Sequence, residues 1–414
     1  VKYQEAIDWL YGTQLFGIKL GLEQVRRLLR ELSLDGATEG CRVWHVAGTN
    51  GKGSVCAMSD AILRAAGLRA GLFTSPHLVT YRERIRVNGR MIPEAAVAAG
   101  LTDIRDLVSD WDPHPTFFEI TLALAMGHFA AENCEAIVLE TGMGGRLDAT
   151  NAIDSDVAVI TPIGFDHTQW LGETLAAIAS EKAGIIKPGR PVLSAEQAPE
   201  AAAVIESAAR EAHAPLRWIS AEELPGDLSL NLAGPHQRAN AALAVVAVRT
   251  LISGVSGDAI AAGLAKVEWP ARFQRIGDRI VIDGAHNSHA AAVLLDTWLA
   301  EMGKSTRATV IFGGVANKDT AETLRRLAPL AARWIFVKVA SQRGLAAEAL
   351  HEMWESMDIG DEIESEIAAS AAEALEKAKT CDEARPILIT GSLYLAGEVI
   401  ALLTGGPPFE KSEQ

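Results

Sequence analysis

Cysteine is scarce in this chain: Cys41, Cys56, Cys134 and Cys381 are the only four in 414 residues. They lie far apart, without a CxxC pair or a zinc spacing, which excludes a disulfide framework and predicts inert thiols in a reducing compartment. Positive charge is also short, with 38 Lys and Arg against 53 Asp and Glu and a formal net charge of −15. That balance speaks against a coat for nucleic acid or anionic membrane, both of which are polyanions. A small anionic ligand stays open, because a local cluster of cations reverses the field inside a cleft. Long apolar runs are lacking too. The stretch from Ile120 to Ala131 is interrupted by Thr121, Gly127 and His128 and is too short to span a bilayer. The N-terminal VKYQEAIDWLYGTQ has no apolar secretory core. A cytoplasmic, monomeric protein with no membrane or nucleic-acid partner is expected.

What is abundant is alternation. Short β-branched runs such as VWHVAG (43–48), EAIVLETG and DVAVITPI are each followed by Ala- and Leu-rich helical stretches. A second series of four strand–helix units begins after Trp269-Pro270 with RIVIDGAHN and ends with PILITGSLYLAGEVIALL. This rhythm predicts an α/β chain of two domains. The first, residues 1–268, would hold a mainly parallel sheet and bind ATP. A hinge at 269–274, around WPAR, would join it to a smaller Rossmann-like α/β domain at 275–414. In such sheets ligands bind at the carboxyl ends of the strands, so the chemistry is expected in the loops that follow them.

The sharpest of those loops is AGTNGKGS, 47–54, between a strand and a helix. Gly48, Thr49, Asn50, Gly51 and Gly53 would turn backbone N–H groups toward phosphate oxygens, Lys52 would add a point charge, and Ser54 a hydroxyl ligand for Mg²⁺. The spacing departs from GxxxxGK[ST] twice, at the three-residue gap between Gly48 and Gly51 and at the extra Gly53. Glu140 closes a buried strand, where a carboxylate is either capped or holds a metal. His167 and Lys182 also follow strands. A histidine is an unusual Mg²⁺ ligand and hints at a second cation site, although on such a loop it is also commonly structural. A free ammonium would be repelled by a metal, so Lys182 is either a surface lysine or a modified one.

The variant loop resembles that of the Mur ligase superfamily. TSPHL (74–78), YRERIRVNG (81–89), LETGMGGRLDATN (139–151), FDHTQWLG (165–172), SEKAGIIK (180–187), GPHQRAN (234–240), DGAHN (283–287) and ITGSLYL (389–395) narrow the likeness to its folylpolyglutamate synthase and dihydrofolate synthase branch. The resemblance runs from about Leu15 to Val399. It implies a ligase that uses ATP to join L-glutamate to dihydropteroate and to reduced folates through an acyl phosphate. The alternatives are another Mur-type amide ligase and a P-loop ATPase without ligase chemistry.

The same resemblance implies that Ser54, Ser75 and Glu140 hold one Mg²⁺, and that His167 and a carbamylated Lys182 organise a second. It places Asn240 on the adenine side of ATP, Arg272 on the phosphates after domain closure, and Asp283 and His286 near the ribose and phosphates. Asn240 could equally belong to a helix start, and Asp283 with His286 to a turn. Thr116, Phe118 and Asp148 would contact dihydropteroate, covered by the loop FGIKLGL (16–22). Arg82, Arg84 and Arg86 alternate with period two, which predicts one strand face for all three, either toward substrate or toward water. A requirement for K⁺ stays open. Twelve acidic residues and two lysines crowd Glu348 to Glu383. That run is expected to be a solvated helical surface away from the site.

Overall fold

The computed structural model describes every residue except 18–20, 317–319, 342, 358, 360–362, 383, 407–408 and 411–414. Residues 18–20 of the FGIKLGL loop and parts of the acidic run therefore lie outside the described residues, as does the Cys381 side chain. Cys41, Cys56 and Cys134 are free thiols. No helix among the described residues is long and apolar enough to cross a membrane.

Among the described residues, fourteen strands build two sheets. They are β1 (Arg42–Ala47), β2 (Ala70–Phe73), β3 (Ile85–Val87), β4 (Arg90–Met91), β5 (Ala136–Glu140), β6 (Val157–Ile160), β7 (Val192–Ala195), β8 (Leu216–Ile219), β9 (Gln274–Ile276), β10 (Ile280–Ile282), β11 (Ala308–Phe312), β12 (Ala331–Val337), β13 (Glu364–Ala368) and β14 (Ile387–Thr390). The first sheet runs β4-β3-β2-β5-β1-β6-β7-β8. It is parallel from β2 to β8, with β3 and β4 added as an antiparallel edge. The second runs β13-β12-β11-β14-β10-β9 and is parallel except for β9. Strands β1, β5 and β6 are almost wholly buried because helices cover both faces, which is why they read as continuous apolar runs.

The expected α/β architecture is present. Chain order reverses around β1, which lies between β5 and β6. The crevice at the carboxyl ends of these strands is the place such a sheet offers to a ligand.

Two local expectations fail. The arginines of RERIR (82–86) do not share a strand face: Tyr81–Arg84 is a 3-10 turn and only Arg86 lies in β3. The cause is a capping box, in which Thr80 and Glu83 bond each other's backbone and wind the chain before the strand starts. The acidic run is not helical throughout either. Between the helices Ala347–Glu355 and Ala371–Cys381 the edge strand β13 intervenes, and the second domain has six strands rather than four. In IESEIA the partly buried Ile363 and Ile367 recur at spacing four, a period-two pattern that favours a strand. Glu364 and Glu366 pair with Arg333 of β12 at 3.5 and 2.7 Å. Charge of this kind blunts an exposed sheet edge.

The two domains touch well beyond the expected hinge. Leu78 and Val79, from the loop after β2, pack into the core of the second domain with Ile311 and Ile389. Gly397 meets that loop so closely that a Cβ there would lie 2.0 Å from the Leu78 carbonyl oxygen. Near the C-terminus, Glu410 accepts hydrogen bonds from the Tyr81 amide, Thr80 Oγ1 and the Tyr3 hydroxyl.

Candidate active site

The phosphate loop leaves β1 at Gly48 and enters the helix Lys52–Ala65. Gly48 has φ +151, and a Cβ there would fall 1.8 Å from Thr161 Oγ1, so the turn admits no side chain. Thr49 fastens the loop to the segment after β6: its Oγ1 donates to the Gly164 carbonyl and accepts from the Gly164 amide, both at 3.0 Å. The helix begins behind Gly51, a left-handed residue with φ +90, and no side chain caps it. Its first amides are thus left for an external acceptor, which at a helix N-terminus is best an anion.

Two ammonium groups converge on one carbonyl of that loop. Lys52 Nζ donates to Gly48 O at 3.1 Å and to Thr49 O at 3.2 Å, and Lys182 Nζ donates to Gly48 O at 2.7 Å. Lys182, on the helix Leu175–Ala183, is only 4% exposed. The surface-lysine alternative therefore fails. Burial, reinforced by the Lys52 charge, pulls its pKa down to about 7. His167, at the N-cap of Thr168–Leu171, lies within electrostatic reach of Asp166, Lys52 and Lys182. It is exposed, left-handed at φ +50, and 3.9 Å from Asp166.

Glu140, at the end of β5, is buried, and burial raises its carboxyl while Lys52 and the Ser75 amide oppose that. The Ser75 N–H donates to Glu140 Oε2 at 3.1 Å. Ser54 Oγ accepts from Gln237 Nε2 at 3.4 Å. A buried carboxylate with Ser75 beside it, and Ser54 in the first turn of the phosphate-loop helix, is a hard-oxygen set that suits Mg²⁺. The second expected site fits only conditionally. Lys182 as an amine brings a cation rather than a ligand, and no cluster of three His, Cys, Asp or Glu side chains suited to a metal occurs among the described residues.

The cleft beside Glu140 opens to solvent. Thr74, Ser75 and Gly53 line it from the first domain and Trp269, Arg272 and Leu393 from the other side. Arg272 is held by its neighbours: Ala271 and Phe273 are both left-handed, at φ +57 and +48. The Phe273 amide donates to Asp283 Oδ2 at 2.8 Å, and the Ala285 amide to Asp283 Oδ1 at 2.9 Å. Asp283 thus serves the turn, and His286 Nδ1 likewise contacts the Gly284 carbonyl at 2.9 Å. Asn240 is buried in the helix Pro235–Leu251, where its Nδ2 donates to Gln237 Oε1. It faces the phosphate loop, for a Cβ on Gly51 would lie 2.7 Å from Asn240 Oδ1.

Two residues beyond Glu140, Gly142 packs closely beneath Phe118 and Asp148. A Cβ on it would come within 2.8 Å of Phe118 Cζ and 3.2 Å of Asp148 Oδ2, so an aromatic ring and a carboxylate adjoin there. Phe118 tilts against Phe73 at 5.6 Å between centroids. Thr116, two residues before it, caps the helix Phe117–Ala131, its Oγ1 donating to Glu119 Oε2 at 2.8 Å.

Asp148 is buried, which raises its carboxyl, and accepts from the Met143 and Thr150 amides and from Thr150 Oγ1. Behind Thr150 lies the fully buried His45, whose Nε2 is 2.8 Å from Thr150 Oγ1. Burial lowers the His45 pKa to about 3, so the imidazole is neutral. Because the Thr150 proton goes to Asp148, His45 Nε2 must carry the hydrogen.

Arg82 is drawn elsewhere, to the Ile92 carbonyl at 2.7 Å and Glu94 at 3.3 Å, whereas Arg86 lines the cleft. Sequence reading passed over two organising groups. Glu83 accepts from the Leu78, Val79 and Thr80 amides and so holds the loop that carries Ser75. Its signal was legible as the capping box T-x-x-E. Trp269 presses on the phosphate loop, where a Cβ at Gly53 would lie 2.7 Å from its Nε1. No local pattern announced that contact.

Residues 46–191 match the Mur ligase middle domain and residues 271–393 the Mur ligase glutamate ligase domain. The dihydrofolate synthase/folylpolyglutamate synthase of Bacillus subtilis is 34% identical over 96% of this chain and 98% of its own length. The Escherichia coli enzyme of the same name is 35% identical over 93% and 92%. Among solved structures, E. coli FolC in complex with DHPP and ADP superposes with a TM-score of 0.86 at 33% identity, covering 97% of this chain and 98% of that one. The Yersinia pestis bifunctional enzyme complexed with AMPPNP and Mn ion gives 0.85 at 31%, covering 98% of each. With likeness of that extent in both sequence and fold, the chain belongs to the dihydrofolate synthase/folylpolyglutamate synthase family of the Mur ligases.

Proposed function

We propose that this chain is the ATP-dependent ligase that adds L-glutamate to the carboxylate of dihydropteroate and to the γ-carboxylate of reduced folates. The observation that carries the reading is the adjacency of two sites at the end of β5. Glu140 lines the cleft, and two residues on, Gly142 packs against the Phe118 ring and the Asp148 carboxylate. A flat ring held at the second site would present its carboxylate toward the first. The relatives support this assignment through their names, and the E. coli complex through its DHPP and ADP.

The substrate carboxylate attacks the γ-phosphorus of ATP, releasing ADP and leaving an acyl phosphate. The glutamate amine then attacks the acyl carbon, loses a proton, and phosphate departs with the former carboxylate oxygen. Little of this is covalent work for the protein, so positioning and charge neutralisation carry the rate. The amides at the start of the helix Lys52–Ala65 hold phosphate, with Lys52 opposing the charge that moves in transfer. Gly48, Thr49, Asn50, Gly51 and Gly53 shape that cradle. Ser54, Ser75 and Glu140 would hold Mg²⁺, which when bound neutralises phosphoryl charge. Arg272 reaches the phosphates from the second domain. Asn240 supports the loop from below, and His286 lies on the same side as Arg272.

Lys182 is suited to carbamylation, because CO₂ combines with a neutral amine and burial makes that form available near pH 7. As a carbamate it would supply a carboxylate-like ligand, with His167, for a second cation. The cleft draws all of these groups from one chain, in keeping with a monomer.

The test incubates the protein with MgATP, labelled glutamate and either dihydropteroate or tetrahydrofolate, and resolves products by mass. Glutamylated product formed only with ATP is expected for both acceptors. ATP hydrolysis that ignores acceptor and glutamate would overturn the reading. Running the assay in Na⁺ and in K⁺ reads the monovalent requirement.

At the ring pocket, Asp148→Asn is expected to raise KM for dihydropteroate about tenfold, the weight of one charge-assisted hydrogen bond. KM for ATP should stay within about twofold if the carboxylate serves the pterin alone, a range that matches substitutions lacking a shared contact. Steady-state kinetics with each substrate varied in turn checks both values.

A further inference from the structure

We propose that Arg86 is an anion-binding residue of this cleft, and that it takes the carboxylate of a glutamyl unit. This rests on the ligase reading above and deepens it. Arg86 lies in β3, antiparallel to β2, and lines the cleft together with Glu140, Ser75, Trp269 and Arg272. Its guanidinium is largely withdrawn from water, and that desolvation lowers its pKa from the ordinary arginine value.

A desolvated cation normally sits against a carboxylate. Here each acid that faces Arg86 is engaged or distant. Glu83 spends its carboxylate on the Leu78, Val79 and Thr80 amides, leaving Arg86 Nε only the Glu83 carbonyl oxygen at 3.2 Å. Asp60 gives its Oδ2 to Arg64 at 2.8 Å, and its Oδ1, though buried without a hydrogen bond, makes no ion pair with Arg86. Glu268 contributes at longer range. No ion pair to Arg86 forms among the described residues. The other cleft arginine, Arg272, donates only to its neighbour's carbonyl, Ala271 O, at 3.1 Å.

What holds Arg86 in place instead is an aromatic face. Its Cζ lies 5.7 Å from the centre of the Trp269 ring, and Trp269 in turn presses on Gly53 of the phosphate loop. This contact orients the guanidinium in the cleft that also holds Glu140, without neutralising it. A planar fork so placed matches a carboxylate in two-point contact. Two carboxylates of the reaction have that chemistry: the α-carboxylate of incoming glutamate, and that of the terminal glutamate on a folate acceptor.

The experiment compares wild type with Arg86→Gln and Arg86→Lys. Dihydropteroate has no glutamyl unit, so with it as acceptor only the incoming amino acid is read. With tetrahydrofolate, glutamate and folate are varied separately. Arg86→Gln is expected to raise one of these KM values by about tenfold or more, with kcat and KM for ATP little changed. A rise in KM for glutamate with both acceptors assigns Arg86 to the incoming amino acid. A rise in KM for tetrahydrofolate alone assigns it to the acceptor's tail.

Should Arg86→Gln fail to fold, Arg86→Lys carries the test. It keeps the charge but loses the fork, and a smaller rise of about threefold in the same constant is expected. Glutamate and folate KM values within twofold of wild type, or a change confined to KM for ATP, would overturn the proposal and leave Arg86 as a prop for Trp269. Failure of the ligase reading itself would show earlier, as absence of product with the wild-type enzyme.

Discussion

Lys182→Met is expected to stop ligation, by a factor of about 10³ or more, while making the folded protein more stable in CO₂-free buffer at pH 7. Both effects come from one buried amine, whose folded pKa is about 7 against the ordinary value of 10.5. Between those two values the unfolded chain binds more protons at this position than the folded one. Stability therefore rises with pH across the interval. Below pH 7 the ammonium is charged in both states and the burial penalty is felt in full.

Methionine removes the charge and keeps most of the volume. Its stabilisation should be largest near pH 6 and vanish by about pH 10.5. At about 1.4 kcal/mol per pKa unit, a gain of a few kcal/mol is the expected order. Urea melts at pH 6, 7.5 and 9 check the trend, and a stabilisation that does not shrink with rising pH contradicts it. The activity arm is read against bicarbonate. Wild-type rate should climb as bicarbonate is added to CO₂-depleted enzyme, whereas the variant should stay inactive throughout. An active Lys182→Met enzyme would refute the carbamate role.

Lys52→Ala is the second large effect: a loss of about 10²- to 10³-fold in kcat, as found when a preorganised charge partner of a transition state is removed. Lys52→Arg should not restore it, because a wide planar fork does not substitute for a compact ammonium donating to Gly48 O and Thr49 O at 3.1 and 3.2 Å. The two lysines are also coupled. The Lys52 charge is one of the forces that lower the Lys182 pKa. Removing it should raise that pKa, lower the share of neutral amine at pH 7, and make the residual activity respond more steeply to pH and bicarbonate. A double variant no worse than Lys182→Met alone would be the mark of that coupling. Single-turnover phosphate release, with ATP binding measured separately, divides the loss between binding and chemistry.

Much of this site was legible before any coordinates. The strand–loop–helix context around AGTNGKGS placed Gly48 to Ser54, since a phosphate cradle is made by consecutive backbone amides and its constraints are local. Glu140, His167 and Lys182 drew attention for a related reason: the end of a strand, and the loop and helix that follow one, are where an α/β sheet offers room to a ligand. The failures have physical causes as well. Period two in RERIR (82–86) predicted one face for three arginines, but the Thr80–Glu83 capping box wound the first two into a 3-10 turn. Local hydrogen bonds there outweighed hydrophobic periodicity. In the acidic run charge concealed a strand, because an edge strand with paired glutamates carries little apolar signal.

The sequence by itself determined the class of the molecule: two α/β domains, a phosphate loop, and motifs specific enough to name a ligase family. Those properties reside in short segments whose geometry follows from nearest neighbours. Only the tertiary structure decided which charges are free to act. Lys182 loses its proton near neutrality because segments more than a hundred residues apart, at Gly48 and at its own helix, exclude water from it together. Arg86 lines the cleft without an ion pair among the described residues because Glu83 is spent on the Leu78, Val79 and Thr80 amides and Trp269, from the start of the hinge, packs over its guanidinium. Desolvation sums over everything that packs around a group, and the order of residues along a chain does not contain that sum.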